Sequence, residues 1–134
     1  MPHEAARRYE TIQWLMFQMS AVGPMFGQVG FFNKFAGKDY EDKRPLQRYV
    51  AESKRLLAVL DRRLSEGTWI MGDEYGIADI STFPWVSNLI GFYNAGELAG
   101  IANFTHVMRA LNSFSQRPAV IRGNDIPKRN TKAT

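Results

Sequence analysis

The chain has 134 residues, 45% of them hydrophobic and 13% aromatic, which is enough apolar mass for one globular domain and too much for a disordered segment. Seventeen Lys and Arg against 13 Asp and Glu give a net charge of +4; residues 122–134 hold four of the bases and one of the acids, so the body is near neutral and lacks the basic face of a nucleic-acid module. With no cysteine in the chain a disulfide, a thiolate nucleophile and a Cys-bound metal are excluded within it, and His3 and His106 stand in no metal-ligand spacing.

Met1-Pro2-His3-Glu4 runs into charge with no secretory signal behind it, so a cytoplasmic setting is expected. From Ala5 the residues Tyr9, Ile12, Leu15, Met16 and Met19 recur at spacings of three and four, the period of a helix. Gly23-Pro24 interrupts that period, because proline has no N–H and crowds the preceding turn. Met25, Phe26, Val29 and Phe32 then resume it, which predicts one long bent helix ending near Phe35, with Gly37 as its stop. Ile12 to Asn33 carries no charge over 22 positions, yet Gln13, Gln18, Ser20, Gln28, Asn33 and the Gly-Pro break make it a poor membrane span and a better buried or interface helix.

Lys38 to Arg44 reads as a polar loop, and Pro45 suits the first turn of a second long helix. In it Tyr49, Val50, Ser53, Leu56, Leu57, Leu60 and Leu64 form one apolar stripe, with Glu52, Lys54, Arg55, Arg62 and Arg63 expected on a solvated face. After Gly67 a turn leads to Tyr75-Gly76-Ile77-Ala78-Asp79-Ile80, a helix-start signal. Asp79, at the third helical position, can accept from the N–H of the cap residue Gly76, and Tyr75 and Ile80 occupy the two positions of a hydrophobic staple. The third helix is predicted from Ile77 to about Tyr93, kinked or tightened near Pro84, and Asn94 to Gly100 is a Gly-rich connection. A fourth helix starts near Asn103 or Phe104 and buries Val107, Met108, Leu111 and Phe114. Arg117-Pro118 ends it, and a short helical turn covers 119–122 before a basic tail, 123–134, expected to be flexible. No stretch alternates apolar and polar over a strand's length, so the expected fold is all-α, a helical bundle of four to five main helices over 1–122.

Three stretches carry a resemblance that covers nearly the whole chain: Gln13-Trp14-Leu15-Met16-Phe17-Gln18, then Gly23-Pro24-Met25-Phe26-Gly27-Gln28, and Trp69-Ile70-Met71-Gly72 through Ile80. Together they resemble the helical C-terminal domain of a glutathione transferase, and the Gly-Pro-Met and Gly-Gln pattern is similar to the bacterial nu class of glutathione-dependent disulfide reductases and peroxidases. The family commonly has Ser or Thr at the cap position that Gly76 holds here, so one bond of the capping box is missing, although glycine is itself an acceptable cap.

The resemblance implies glutathione as co-substrate, no metal, and an N-terminal thioredoxin-like domain that binds the tripeptide and activates its thiol. No βαβ pattern for such a domain lies in this chain, so the chain alone is expected to be inactive. What the helical domain supplies, by the same resemblance, is the wall of a pocket for a small apolar electrophile or a disulfide, and the contact of a homodimer through the first two helices. The pocket candidates are Met16, Met19, Met25, Phe26 and Phe83, with Trp85 and Tyr93 as further members; Met and aromatic side chains suit an adaptable apolar pocket. Arg48 corresponds to an Arg that contacts glutathione across the cleft, where a guanidinium fits a carboxylate as a bidentate pair. Gln28 is a second candidate for glutathione, its alternative being a bond to backbone freed at the Pro24 kink; for Gln18 that structural role is favoured. The alternative function is a non-catalytic interaction module of the same fold, as in helical adaptors of translation factors and synthetases.

Overall fold

The computed structural model describes residues 1–126; most of the basic tail, 127–134, lies outside the described residues. Helix α1 (Ala5–Phe17) opens on Glu4, whose two carboxylate oxygens accept from the N–H groups of Ala6 and Arg7, both at 2.8 Å. A π-turn (Gln18–Val22) joins α1 to α2 (Gly23–Asn33), so the expected bend is a widening of the helix by one residue just ahead of Pro24. A 3₁₀ turn (Ala36–Asp39) leads to α3 (Arg44–Leu64), which has Pro45 in its first turn as predicted.

The turn after α3 contains a tight reversal in which Trp69 and Gly72 exchange backbone hydrogen bonds (2.7 and 3.0 Å), closed by Gly72 at a φ of +87°. Helix α4 (Ile77–Ser87) follows, then a second π-turn (Asn88–Phe92). The third helix therefore loosens beyond Pro84 where a tightening or kink was expected. This wide turn ends on Tyr93, whose ring lies so close over Gly30 that a Cβ there would stand 2.4 Å from it. Helices α5 (Thr105–Ser115) and α6 (Pro118–Asn124) complete the described chain, which contains no strand, only two isolated bridges in the 69–74 turn.

The core sits where the bent helix, α3, α4 and α5 meet. Leu56, Leu57, Leu60 and Leu64 of α3 are at most 1% exposed and pack with Val22, Phe26, Val29, Ala78, Phe83, Val86, Val107 and Phe114. On α5 the buried set is Val107, Ala110, Leu111 and Phe114; Met108, expected inside, is 37% exposed because Ala110 takes the inward position. Helix α5 has no cap of its own, and Asp61 of α3 supplies one: its Oδ1 accepts from the N–H groups of His106 (2.8 Å) and Val107 (2.9 Å). Helix α1 is different in kind. Thr11 is its one fully buried residue, while Tyr9, Met16 and, on the π-turn, Met19 are left exposed. Among the described residues no helix is long and apolar enough to cross a membrane.

Candidate functional site

Two grooves flank the bent helix. The first lies at the kink and is lined by Gln18, Met19, Gly23, Pro24, Gly27, Gln28 and Trp85. Its shape follows from the π-turn. Gly23 N–H bonds five residues back to the Gln18 carbonyl, and Pro24 has no N–H to give, so the carbonyl of Met19 is left without a helical donor. Glycines make the floor. A Cβ on Gly27 would meet nothing within 4 Å, and one on Gly23 would stand 3.1 Å from Gln18 Nε2 and 3.2 Å from Trp85 Cε2. At the kink Ser20 donates to the Met16 carbonyl, and among the described residues the Gln18 and Gln28 amides and the Trp85 indole N–H have no hydrogen-bond partner.

The second groove lies between α2 and α3 and is lined by Met25, Arg48, Tyr49, Ala51, Glu52 and Arg55. Glu52 binds Arg55 through two bonds (2.7 and 2.9 Å), which hold its carboxyl below the usual range, with the charge of Arg48 adding to the effect. The ion pairs of α3 are Arg44–Asp42, Arg55–Glu52 and those of Arg63 with Glu10 and Glu66. Among the described residues Arg48 belongs to none of them, and it is exposed at the groove.

The sequence-predicted site residues thus divide. Met19 and Gln28 come together at the kink with Gln18 and Trp85, and Met25 joins Arg48 in the second groove. Met16 is 48% exposed on α1 and lines neither groove. Phe26 and Phe83 require a correction: they are 0% and 1% exposed and belong to the core, with the Phe83 ring 5.3 Å from Phe114 and 6.3 Å from Trp69, so neither offers surface to a ligand. Tyr93 is half-buried against Phe35 and Phe92, away from both grooves.

The helix-start residues do more than cap. Asp79 is 0% exposed; its Oδ2 accepts from Gly76 N–H and its Oδ1 from Ile70 N–H, both at 2.9 Å. Burial pushes its carboxyl above the usual value, against the pull of those N–H groups and of the Arg117 charge. Gly76 has no side chain, so the reciprocal bond of a capping box does not exist here. Ile80 is 50% exposed, and the Tyr75 ring is engaged by Trp69 (5.0 Å), Phe114 (6.4 Å) and the Arg117 guanidinium (3.5 Å), so the expected staple buries little on its outer side.

Three arginines hold the main chain of the same turn. Arg109 donates to the carbonyls of Leu64 and Gly67, Arg63 to that of Ile70 at 2.6 Å, and Arg7 to that of Met71. Arg63 also pairs with Glu10 at 2.6 Å, which corrects the expectation that it belongs to a solvated face. The signal available for it was weak: an Arg one position off an apolar stripe, next to a turn rich in unpaired carbonyls.

Comparison with known proteins bears on this geometry. A family model described as "Glutathione S-transferase, C-terminal domain" matches residues 44–120. The chain is 36% identical over 132 residues to the disulfide-bond oxidoreductase YghU of Escherichia coli, covering 97% of this chain and 45% of that protein. It is 40% identical over 87 residues to the disulfide-bond oxidoreductase YfcG of the same organism, covering 65% and 40%. Among solved structures, a glutathione transferase from Burkholderia graminis with two glutathione molecules bound per subunit is 68% identical, with a TM-score of 0.93 over 96% of this chain and 54% of that one. One from Pseudomonas putida with a glutathione disulfide bound is 59% identical, with a TM-score of 0.91 over 95% and 55%. The chain therefore spans about half the length of the proteins it matches. With its bent first helix, uncharged from Ile12 to Asn33, and its buried Asp79 cap, it belongs to the glutathione S-transferase family, as the C-terminal helical domain.

Proposed function

We propose that this domain works as the second-substrate wall and dimerisation half of a glutathione-dependent transferase or disulfide reductase. Its catalytic partner in that enzyme is an N-terminal thioredoxin-like domain that binds glutathione and lowers the pKa of its thiol. Neither groove offers a free base for that second task, since Glu52, the one carboxylate that lines them, is held by Arg55. The observation that carries the reading is Arg48: a guanidinium at a groove with no ion-pair partner among the described residues, on a chain whose solved relatives hold glutathione or its disulfide. A charge-assisted pair with a glutathione carboxylate suits its planar fork. Gln28 and Met19 at the kink, with Trp85, are then the contacts of the second substrate, and Met25 flanks the glutathione side. The exposed side chains of Tyr9 and Met16 support a homodimer that covers the first two helices. A cytoplasmic setting, where thiols are kept reduced, goes with this chemistry.

Two measurements test the proposal. The chain alone should show no turnover above background with an aryl halide or a small disulfide. In the two-domain protein, Arg48→Ala should weaken glutathione binding by about 1.5 to 3 kcal/mol, the loss of a charged hydrogen bond, with stability unchanged. Arg48→Lys should recover part of it, since an ammonium keeps the charge without the fork. Equal affinities by calorimetry at fixed salt would make Arg48 a solvated residue and remove the proposed contact.

A further inference from the structure

Of the six methionines, four are open to solvent: Met1 (55%), Met16 (48%), Met19 (56%) and Met108 (37%). Exposure alone would give the four similar rates with a soluble oxidant. Their surroundings differ. Met16 and Met108 line neither groove, and Met1 stands at the start of the chain. Met19 shares the groove at the kink with the Gln18 and Gln28 amides, and no charged residue lines it. The Gln18 amide folds back over the π-turn that carries Met19, its Nε2 lying 3.1 Å from the point a Gly23 Cβ would occupy. A thioether is a weak acceptor, so Met19 as it stands leaves both amides without a good partner in the groove. Its sulfoxide, a polar group with an exposed oxygen, would supply one.

We propose that Met19 is an oxidative modification site that takes one oxygen from hydrogen peroxide or an alkyl hydroperoxide, with the Gln18 and Gln28 amides speeding the transfer and holding the product. A sulfur lone pair attacks one peroxide oxygen, and the S–O bond forms as the O–O bond breaks. Sulfur gives up two electrons, and the proton of the attacked oxygen passes to the departing one, which leaves as water or an alcohol. Negative charge develops on that departing oxygen, and an amide N–H beside it stabilises the charge. The sulfoxide oxygen then accepts from the same amides, so a flexible apolar flank of the groove becomes a polar, tethered one. Resting on the reading of this groove as the second-substrate wall, the oxidised form binds that substrate less well, and peroxide turns the site down.

The full chain, dosed with hydrogen peroxide and mapped by fragment-ion mass spectrometry, should form sulfoxide at Met19 at least three times faster than at Met1, Met16 or Met108. Replacing both amides, Gln18→Leu with Gln28→Leu, should bring Met19 down to the rate of Met1. Should the double variant fail to fold, Gln28→Leu alone, at an exposed position, should lower the preference about twofold. In the ¹⁵N-labelled chain, oxidation should shift the Gln18 and Gln28 side-chain amides, and Met19→Leu should abolish that shift. Equal rates at the four methionines, or amide resonances unmoved by oxidation, would overturn the proposal. In the two-domain protein, peroxide treatment should raise KM for a small disulfide several-fold with kcat little changed, and the activity that Met19→Leu retains should not respond. Selective oxidation with KM unmoved sinks the second-substrate contact at Met19 and leaves the modification site. Unselective oxidation sinks the modification site alone, whatever Arg48→Ala does to glutathione binding.

Discussion

Replacing Asp79 by alanine removes two acceptors at once, and the structure says how much that should cost. Oδ2 holds the Gly76 N–H and Oδ1 the Ile70 N–H, each at 2.9 Å, and the side chain is fully buried. Loss of an N-terminal cap is worth about 1 kcal/mol. A buried backbone N–H left unsatisfied at Ile70 adds about 1–3 kcal/mol, while relief from holding a desolvated carboxylate works the other way. The net expected loss is about 2–4 kcal/mol. Urea unfolding of the full chain, with the m-value checked for constancy, measures it, and amide exchange at Ile70 and Gly76 should accelerate together. A loss no larger than that of a cap, with exchange at Ile70 unchanged, would show that the second bond contributes nothing. The same carboxyl has a pH signature. Burial raises it above its usual 3.8 in the folded state, so the folded form takes up the proton first as pH falls. Its contribution to stability therefore grows as pH drops through the folded pKa, is complete below the unfolded value, and is lost as pH rises. The stability of the native chain relative to Asp79→Asn should increase from neutral to mildly acidic pH; a decrease would refute the sign.

Gly76→Ser should leave the urea midpoint unchanged or raise it by up to about 1 kcal/mol, because the backbone there is extended and a Cβ meets nothing within 4 Å; a clear loss would mean the hydroxyl finds no N–H to accept. Gly30→Ala should destabilise by about 2–3 kcal/mol or more, since the new methyl would stand 2.4 Å from the Tyr93 ring, and Tyr93→Ala should make the same substitution tolerable. Asp61→Ala should cost about 1–2 kcal/mol through the two N–H groups of α5 it caps; hydrogen exchange localised to 105–108 identifies the site, and unaltered exchange there would count against it.

The parts of this fold visible in the sequence are those where one residue's environment follows from its neighbours along the chain. The stripe from Ser53 to Leu64 is such a case: helical period and burial coincide, and each of its positions is inside. The break at Gly23-Pro24 was visible as a break, but its form was not, because the shift from bonding four residues back to five leaves no mark on composition. Phe26 and Phe83 were misplaced for a different reason. An apolar residue at helical spacing faces something apolar, and sequence does not say whether that is another helix or a ligand. Asp79 was read correctly as a cap, while its second bond, to Ile70, depends on a turn whose course is set by tertiary packing. Arg63 and Asp61 were beyond reach on the same ground: their partners lie on other elements and are backbone groups with no residue signature.

The hold of Arg7, Arg63 and Arg109 on the carbonyls of Leu64, Gly67, Ile70 and Met71 has an unequal consequence for change in the two sets of positions. A carbonyl is the same group in every residue type, so the exposed members of the turn, Thr68 and Asp73, can vary without touching what fastens it. The donors have no such freedom. Lysine in place of Arg63 cannot reach the Ile70 carbonyl and the Glu10 carboxylate together through one ammonium of different shape. An engineer wishing to graft a new loop onto this domain would therefore find room at the tip of the turn, provided the three guanidinium groups that grip its backbone are left as they are.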